Sequence, residues 1–218
     1  MLATTLLDAL APRRCAGCGM PSAQTACEPC VELCALLVQP PSRPTPYGAC
    51  HAALPFQPPV RGLVHHAKYR GRRSAAAVLG ALVVERLWLT LHAHGPPALV
   101  VPVPLGRRRR RARGYNQAAL LGAALARQAG VALADQADQA TRLRETAPQV
   151  GRSRDARAAN VRDAFAWRGP PLGGAAVWLV DDVVTTGATL AAAATALQQA
   201  GAGRIDGVAA AMVRAPWE

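Results

Sequence analysis

Lysine is nearly absent from this 218-residue chain: Lys68 is the only one among 25 basic residues, and arginine supplies the rest. Aromatic residues are also scarce, at 4% against 51% hydrophobic overall, so a core must be built from Ala, Leu and Val. Acidic residues number only 13, which leaves a net charge of +12 and a pI near 10.8. Such a balance favours phosphate-bearing partners: nucleotides, nucleic acid or an anionic membrane surface. Ala and Arg are abundant along the whole chain, however, as in a general compositional bias, so total charge carries only part of that weight. Residues 1–11 lack a basic leader and hold Asp8 in their middle, so they read as a short helix and not as a secretory segment. Residues 183–203 carry no charge, but their Thr, Gln and Gly content argues against a membrane span. No internal repeat is visible beyond Ala-rich runs. These features imply a cytoplasmic, reducing setting, in which cysteines serve as metal ligands more often than as disulfides. The length suffices for one α/β domain and a small appendage.

The most informative stretch is residues 175–190. An apolar run, AVWLV, is bounded by Gly173-Gly174 before it and Asp181-Asp182 after it. It has the pattern of a strand buried on both faces, as in a parallel sheet. Thr185, Thr186, Gly187, Ala188 and Thr189 then open an Ala-rich segment, 190–200, that favours helix. In an open α/β sheet this strand–turn–helix junction is where ligands bind. A small, hydroxyl-rich turn at a helix N-terminus offers backbone N–H groups and the positive end of the helix dipole, which makes a phosphate site. Gly187 permits close approach and positive φ. The two carboxylates suit hydroxyl donors such as the cis-diol of a ribose. A Walker loop is excluded, because no Gly-Lys-Ser/Thr follows.

Cys15-x-x-Cys18 and Cys27-x-x-Cys30 are spaced like two zinc knuckles, and together they make a tetrahedral thiolate site. A redox CxxC is the alternative. Cys34 and Cys50 stand outside the pattern as small hydrophobes, although Cys34 could replace a ligand. Pro40, Pro41, Pro44, Pro46, Pro55, Pro58 and Pro59 mark residues 39–58 as a linker with at most one edge strand. The expected organisation is therefore an N-terminal helix and ribbon over 1–38, this linker, and a main domain over 59–218.

Within the main domain, Val60–Tyr69 reads as a helix with Leu63, Val64 and Ala67 inward, and adjacent His65 and His66 read as surface residues. Residues 74–91 form a second helix with Val78, Leu79, Leu82 and Leu89 on one side. Residues 98–103 are a buried strand. The arginine run 107–111 and Arg113 fall on a loop directly after it, followed by a helix over 118–127. That loop is either an anion clamp, for pyrophosphate or a nucleic-acid backbone, or a solvated basic surface. Residues 131–134 read as a short strand, 137–143 as extended, and 141–160 as a long, polar, Arg-rich loop. Residues 205–213 close the sheet.

The string from the apolar strand through the two acids to TTGAT resembles the phosphoribosyl pyrophosphate (PRPP) motif of type I phosphoribosyltransferases. Further matches are the paired knuckles, Lys68-Tyr69-x-Gly71, and Val101-Pro102-Val103-Pro104 with Arg113-Gly114-Tyr115-Asn116-Gln117. Arg144-x-Thr146-x-x-Gln149, Arg157-x-x-Asn160-Val161 and Phe165 follow. Together they resemble the ComF family, associated with natural competence and DNA uptake. The resemblance implies a type I phosphoribosyltransferase-like parallel sheet flanked by helices. Asp181 and Asp182 would hold the ribose hydroxyls, and Thr185 to Thr189 the 5-phosphate. Pro104, Arg113 and Gly114 would face pyrophosphate and Mg²⁺. Arg113, Arg144 and Arg157 would act catalytically, the last two from a closing loop, and Cys15, Cys18, Cys27 and Cys30 would hold structural Zn²⁺. The implied reaction is displacement of pyrophosphate by a nitrogen nucleophile. The implied macromolecular partners are single-stranded DNA and a competence helicase. Thr185 stands where 6-oxopurine enzymes often carry an acid, which argues against purine salvage.

Overall fold

The computed structural model describes residues 13–134, 140–142 and 164–213. In chain order its elements are α1 (Glu28–Leu36), β1 (Arg43–Thr45), β2 (Gly48–Pro55), α2 (Val60–Tyr69), α3 (Arg73–His92), β3 (Leu99–Pro102), α4 (Arg107–Arg113) and α5 (Gln117–Ala129). Then come β4 (Ala132–Leu133), β5 (Ala140–Arg142), β6 (Phe165–Trp167), β7 (Val177–Val184), α6 (Ala188–Gln199) and β8 (Ile205–Met212). The protein is α/β: six strands in the order β1-β2-β8-β7-β3-β4 form one sheet, parallel except for the β1–β2 hairpin. Strands β5 and β6 form a separate antiparallel pair.

Alternation along β7 divides the core. Trp178 and Val180 join the cluster formed with α2, α3 and α5, whereas Val177 and Leu179 join the one formed with α6 and Phe165. The sheet is thus covered on both faces, as its near-continuous apolar strands require. Leu79 and Leu82 are buried on α3 as expected, but Leu89 is 82% exposed, because the face that packs inward runs through Val83, Leu87 and Leu91. By length and composition α3 could cross a membrane; here it packs as a core helix, with eight of its residues buried.

Two expectations are corrected. The Pro-rich stretch contributes two strands, and β2 lies inside the sheet between β1 and β8. Its residues 48–54 contain no proline, and Pro55 stands at its last position, where the ladder tolerates it. The closing strand, β8, lies inside the sheet between β2 and β7. The arginine run is a helix and not a loop. Gly106 precedes it, Arg is a good helix former, and Gly114 ends it at φ 74°. Residues 1–12 and the polar stretch 143–163 lie outside the described residues.

Candidate functional site

At the carboxyl end of β7 and β3 lies a cleft of about 580 Å³. Its wall includes Asp181 and Asp182 and the turn Thr185, Thr186, Gly187, Ala188 and Thr189. The acids do not follow the strand, as the sequence implies, but lie within it: β7 continues to Val184, in register with β8. Alternation then sends the two carboxylates to opposite faces. Asp182, on the side of Trp178 and Val180, faces the helices α2, α3 and α5. Asp181 accepts a hydrogen bond from the Asp182 N–H at 2.8 Å. Gly187 takes φ 78° and starts α6, which has no side-chain cap. The N-terminal N–H groups of α6 therefore open toward the cleft with the positive end of its dipole.

The opposite wall comes from α2, α4 and the start of α5. Lys68 Nζ lies 2.8 Å from Asp182 Oδ1, with the two side chains 22% and 11% exposed. Burial alone would lower the pKa of Lys68; the charge and hydrogen bond of Asp182, aided by Asp181, more than offset this and leave it raised, so the ammonium is retained. The backbone beneath Lys68 is fixed from α5: the Tyr115 hydroxyl and Gln117 Nε2 both donate to the Ala67 carbonyl. Gln117 Oε1 accepts from Arg113 at 3.0 Å, and the Arg113 guanidinium lies 5.4 Å from the centre of the Tyr69 ring. Asn116 caps α5 by accepting from the Ala118 N–H, and donates to the Val103 carbonyl at 2.8 Å. Such a cap contributes about 1 kcal/mol and here also joins α5 to the end of β3. The string Arg113-Gly114-Tyr115-Asn116-Gln117 is thus a bracket that holds α2 and Arg113 at the cleft.

Pro104, Arg113 and Arg109 line the cleft. Gly114 does not; it ends α4, and its carbonyl accepts from Arg73. Arg144 and Arg157 lie outside the described residues. Lys68, quoted in the sequence only as the sole lysine and within the Lys68-Tyr69-x-Gly71 string and given no site role there, lines the cleft.

The second site is the cysteine cluster. The sulfurs of Cys15, Cys18, Cys27 and Cys30 all lie within 4.8 Å of one another, with Cys15–Cys30 and Cys18–Cys27 each at 3.7 Å. A tetrahedral site with metal–sulfur bonds of about 2.3 Å has edges of about 3.8 Å, so the four residues fit a metal such as zinc. Burial raises the Cys15 thiol, but the N–H groups of Cys27, Cys18 and Gly17 outweigh it and bring its pKa down to about 6. Burial and the neighbouring sulfurs push Cys30 up. Cys34 and Cys50 are buried outside the cluster.

DNA utilization protein YhgH of Salmonella typhimurium is 34% identical to this chain over 196 residues, covering 88% of this chain and 81% of that protein. YhgH of Escherichia coli K12 is 32% identical over 199 residues, with the same shares covered. The chain belongs to the YhgH family. YhgH of Salmonella typhi, at 33% over 196 residues, is a further relative in that family. No family model matches the chain. The crystal structure of TT1426 from Thermus thermophilus is similar at a TM-score of 0.38 and 20% identity, covering 66% of this chain and 85% of that one.

Proposed function

We propose that the cleft binds PRPP with Mg²⁺, and that the protein is a ComF-like phosphoribosyltransferase-domain protein of the cytoplasm serving DNA uptake. The observation that carries this reading is the meeting, on one cleft, of two carboxylates, an uncapped helix N-terminus in a Thr-Thr-Gly-Ala-Thr turn, and the cations Lys68 and Arg113. The turn takes the 5-phosphate, the acids accept hydrogen bonds from the ribose hydroxyls, and Arg113 with the α4 arginines faces the pyrophosphate. The DNA-related name of the YhgH relatives supports the biological role.

The reaction is displacement at C1. The C1–oxygen bond breaks, its electron pair leaves with pyrophosphate, and a nitrogen nucleophile forms the new bond through an oxocarbenium-like state. Arg113 stabilises the departing negative charge, and Arg144 and Arg157, assigned the same role by the resemblance, lie outside the described residues. Mg²⁺, when bound, supplies further charge neutralisation on the pyrophosphate oxygens. The cysteine cluster takes one structural zinc ion.

Calorimetric titration with PRPP, with and without Mg²⁺, tests this reading. Mg²⁺-dependent binding is expected, and Asp182→Asn weakens it roughly ten- to a hundredfold, as for loss of one charge-assisted hydrogen bond. Absence of binding in folded protein would overturn it.

A second reading follows from α4, whose arginines project from a helix with no buried residue. In it the fold binds single-stranded DNA and a competence helicase without catalysis. The two readings are compatible, and purine salvage is disfavoured by Thr185.

A further inference from the structure

Lys68 is placed differently from the arginines that share its cleft. Of these, Arg109 and Arg113 are half-buried on α4, a short helix with no buried residue. Lys68 instead stands on the last turn of α2, 2.8 Å from a carboxylate at the floor of the cleft. Two hydrogen bonds to the carbonyl of the preceding residue, Ala67, fix its starting point. Its partner Asp182 is only 8% exposed. A carboxylate so enclosed, beside a site for phosphates, requires a cation against it. The Lys68 ammonium supplies that cation at Oδ1 and fixes the orientation of the carboxylate.

We propose that Lys68 is the specificity residue of the cleft: by holding the Asp182 carboxylate in one orientation, it makes the site select a 5-phosphorylated sugar with a vicinal 2,3-diol over its 2-deoxy counterpart. The inference rests on the reading of the cleft as a sugar-phosphate site. It assigns phosphate affinity to the turn at Gly187 and diol selection to the Lys68–Asp182 pair. The two properties are then separable by mutation, because different elements supply them.

The test is calorimetric titration of wild type, Lys68→Met, Lys68→Arg, Asp182→Asn and the Lys68→Met/Asp182→Asn double variant, each with ribose 5-phosphate and with 2-deoxyribose 5-phosphate. Wild type prefers the ribose form roughly ten- to a hundredfold. Lys68→Met loses most of that preference while its affinity for the deoxy sugar stays within about threefold of wild type, and Lys68→Arg keeps most of the preference. The double variant binds ribose 5-phosphate no worse than Asp182→Asn alone, as expected when two residues act as one unit. Equal loss for both sugars in Lys68→Met would put Lys68 on the phosphate and overturn the proposal. So would an unchanged preference, additive losses, or a wild type that binds both sugars alike. A wild type that binds neither sugar would overturn the reading of the cleft itself. If Lys68→Met fails to fold, acetylation of the only lysine decides: Asp182→Asn accelerates modification of Lys68 severalfold, and an unchanged rate would show that the pair does not hold it.

Discussion

Gly62 on α2 lies directly against the backbone carbonyls of Gly17 and Ala16 in the first cysteine knuckle, with no room for a Cβ. Gly17 in turn faces Cys30 Sγ and Pro59, each 2.9 Å from where its own Cβ would stand. The cysteine segment is therefore packed against the start of the helix whose other end presents Lys68 to the cleft. Gly62→Ala is expected to destabilise the protein by about 2–3 kcal/mol, because the clashing atoms are backbone and cannot rotate away. A denaturant midpoint lowered at unchanged slope would check this.

Arg86 joins the same segment to the core from α3. It donates to the carbonyls of Ala53, Cys34, Ala35 and Leu37, at distances from 2.6 to 3.3 Å. The last three cluster at the C-terminal end of α1, where carbonyls lack helical partners. Arg86→Met keeps the stem but removes every donor, and the expected cost is about 2–4 kcal/mol, given charge-assisted bonds of about 1.5–3 kcal/mol each that do not add fully. Thermal unfolding of the two proteins side by side measures it.

Metal analysis of protein purified without chelator is expected to give one zinc ion per chain. Cys15→Ser and Cys30→Ser, which alter the buried pair of ligands, abolish it. Apparent zinc affinities of about 10–16 kcal/mol in small domains mean that chelation unfolds a segment with so little core of its own. Cobalt substitution giving the absorption of a tetrahedral thiolate site would identify the ligands.

Acid stability has a specific source in Asp206. Burial raises its pKa, but His51, the Arg204 guanidinium and the Ala49 N–H outweigh this and hold it well below the usual carboxylate range. Its folded pKa is below its unfolded value near ~3.9, so its stabilisation is complete above that value and is lost as pH falls toward the folded pKa. Asp206→Asn is expected to lower stability at pH 7 and to flatten the loss below about pH 4. Urea unfolding across that range tests the sign.

Replacing Arg107, Arg108, Arg110 and Arg111 together by Gln preserves helix propensity and removes charge from α4. If α4 carries a nucleic-acid backbone, the log–log salt slope for single-stranded DNA falls by about 0.7 for each phosphate that is no longer neutralised. An unchanged slope would assign DNA binding to another surface.

Features that depend only on neighbours along the chain were legible in the sequence. Residues 176–190 form strand, turn and helix start because apolar β-formers, a Gly at positive φ and an Ala-rich run each act locally. The two CxxC pairs are local features, the first on the turn at residues 16–18 and the second at the N-terminus of α1, whereas the 3.7 Å contacts of Cys15 with Cys30 and of Cys18 with Cys27 come from packing one pair on the other. Helix α2 shows its period in Leu63, Val64 and Ala67. Pairings between distant residues, by contrast, were settled by the packing of whole elements. The ion pair between Lys68 and Asp182 requires the β7 strand to continue past Val180, so that alternation turns Asp182 toward α2. The insertion of β2 between β1 and β8 makes a Pro-flanked stretch part of the sheet. The bonds from Arg86 to α1 depend on which helix packs against the cysteine segment. Periodicity shows which face of an element is apolar, but not which element covers it, and the partner of a buried charge is set by that choice.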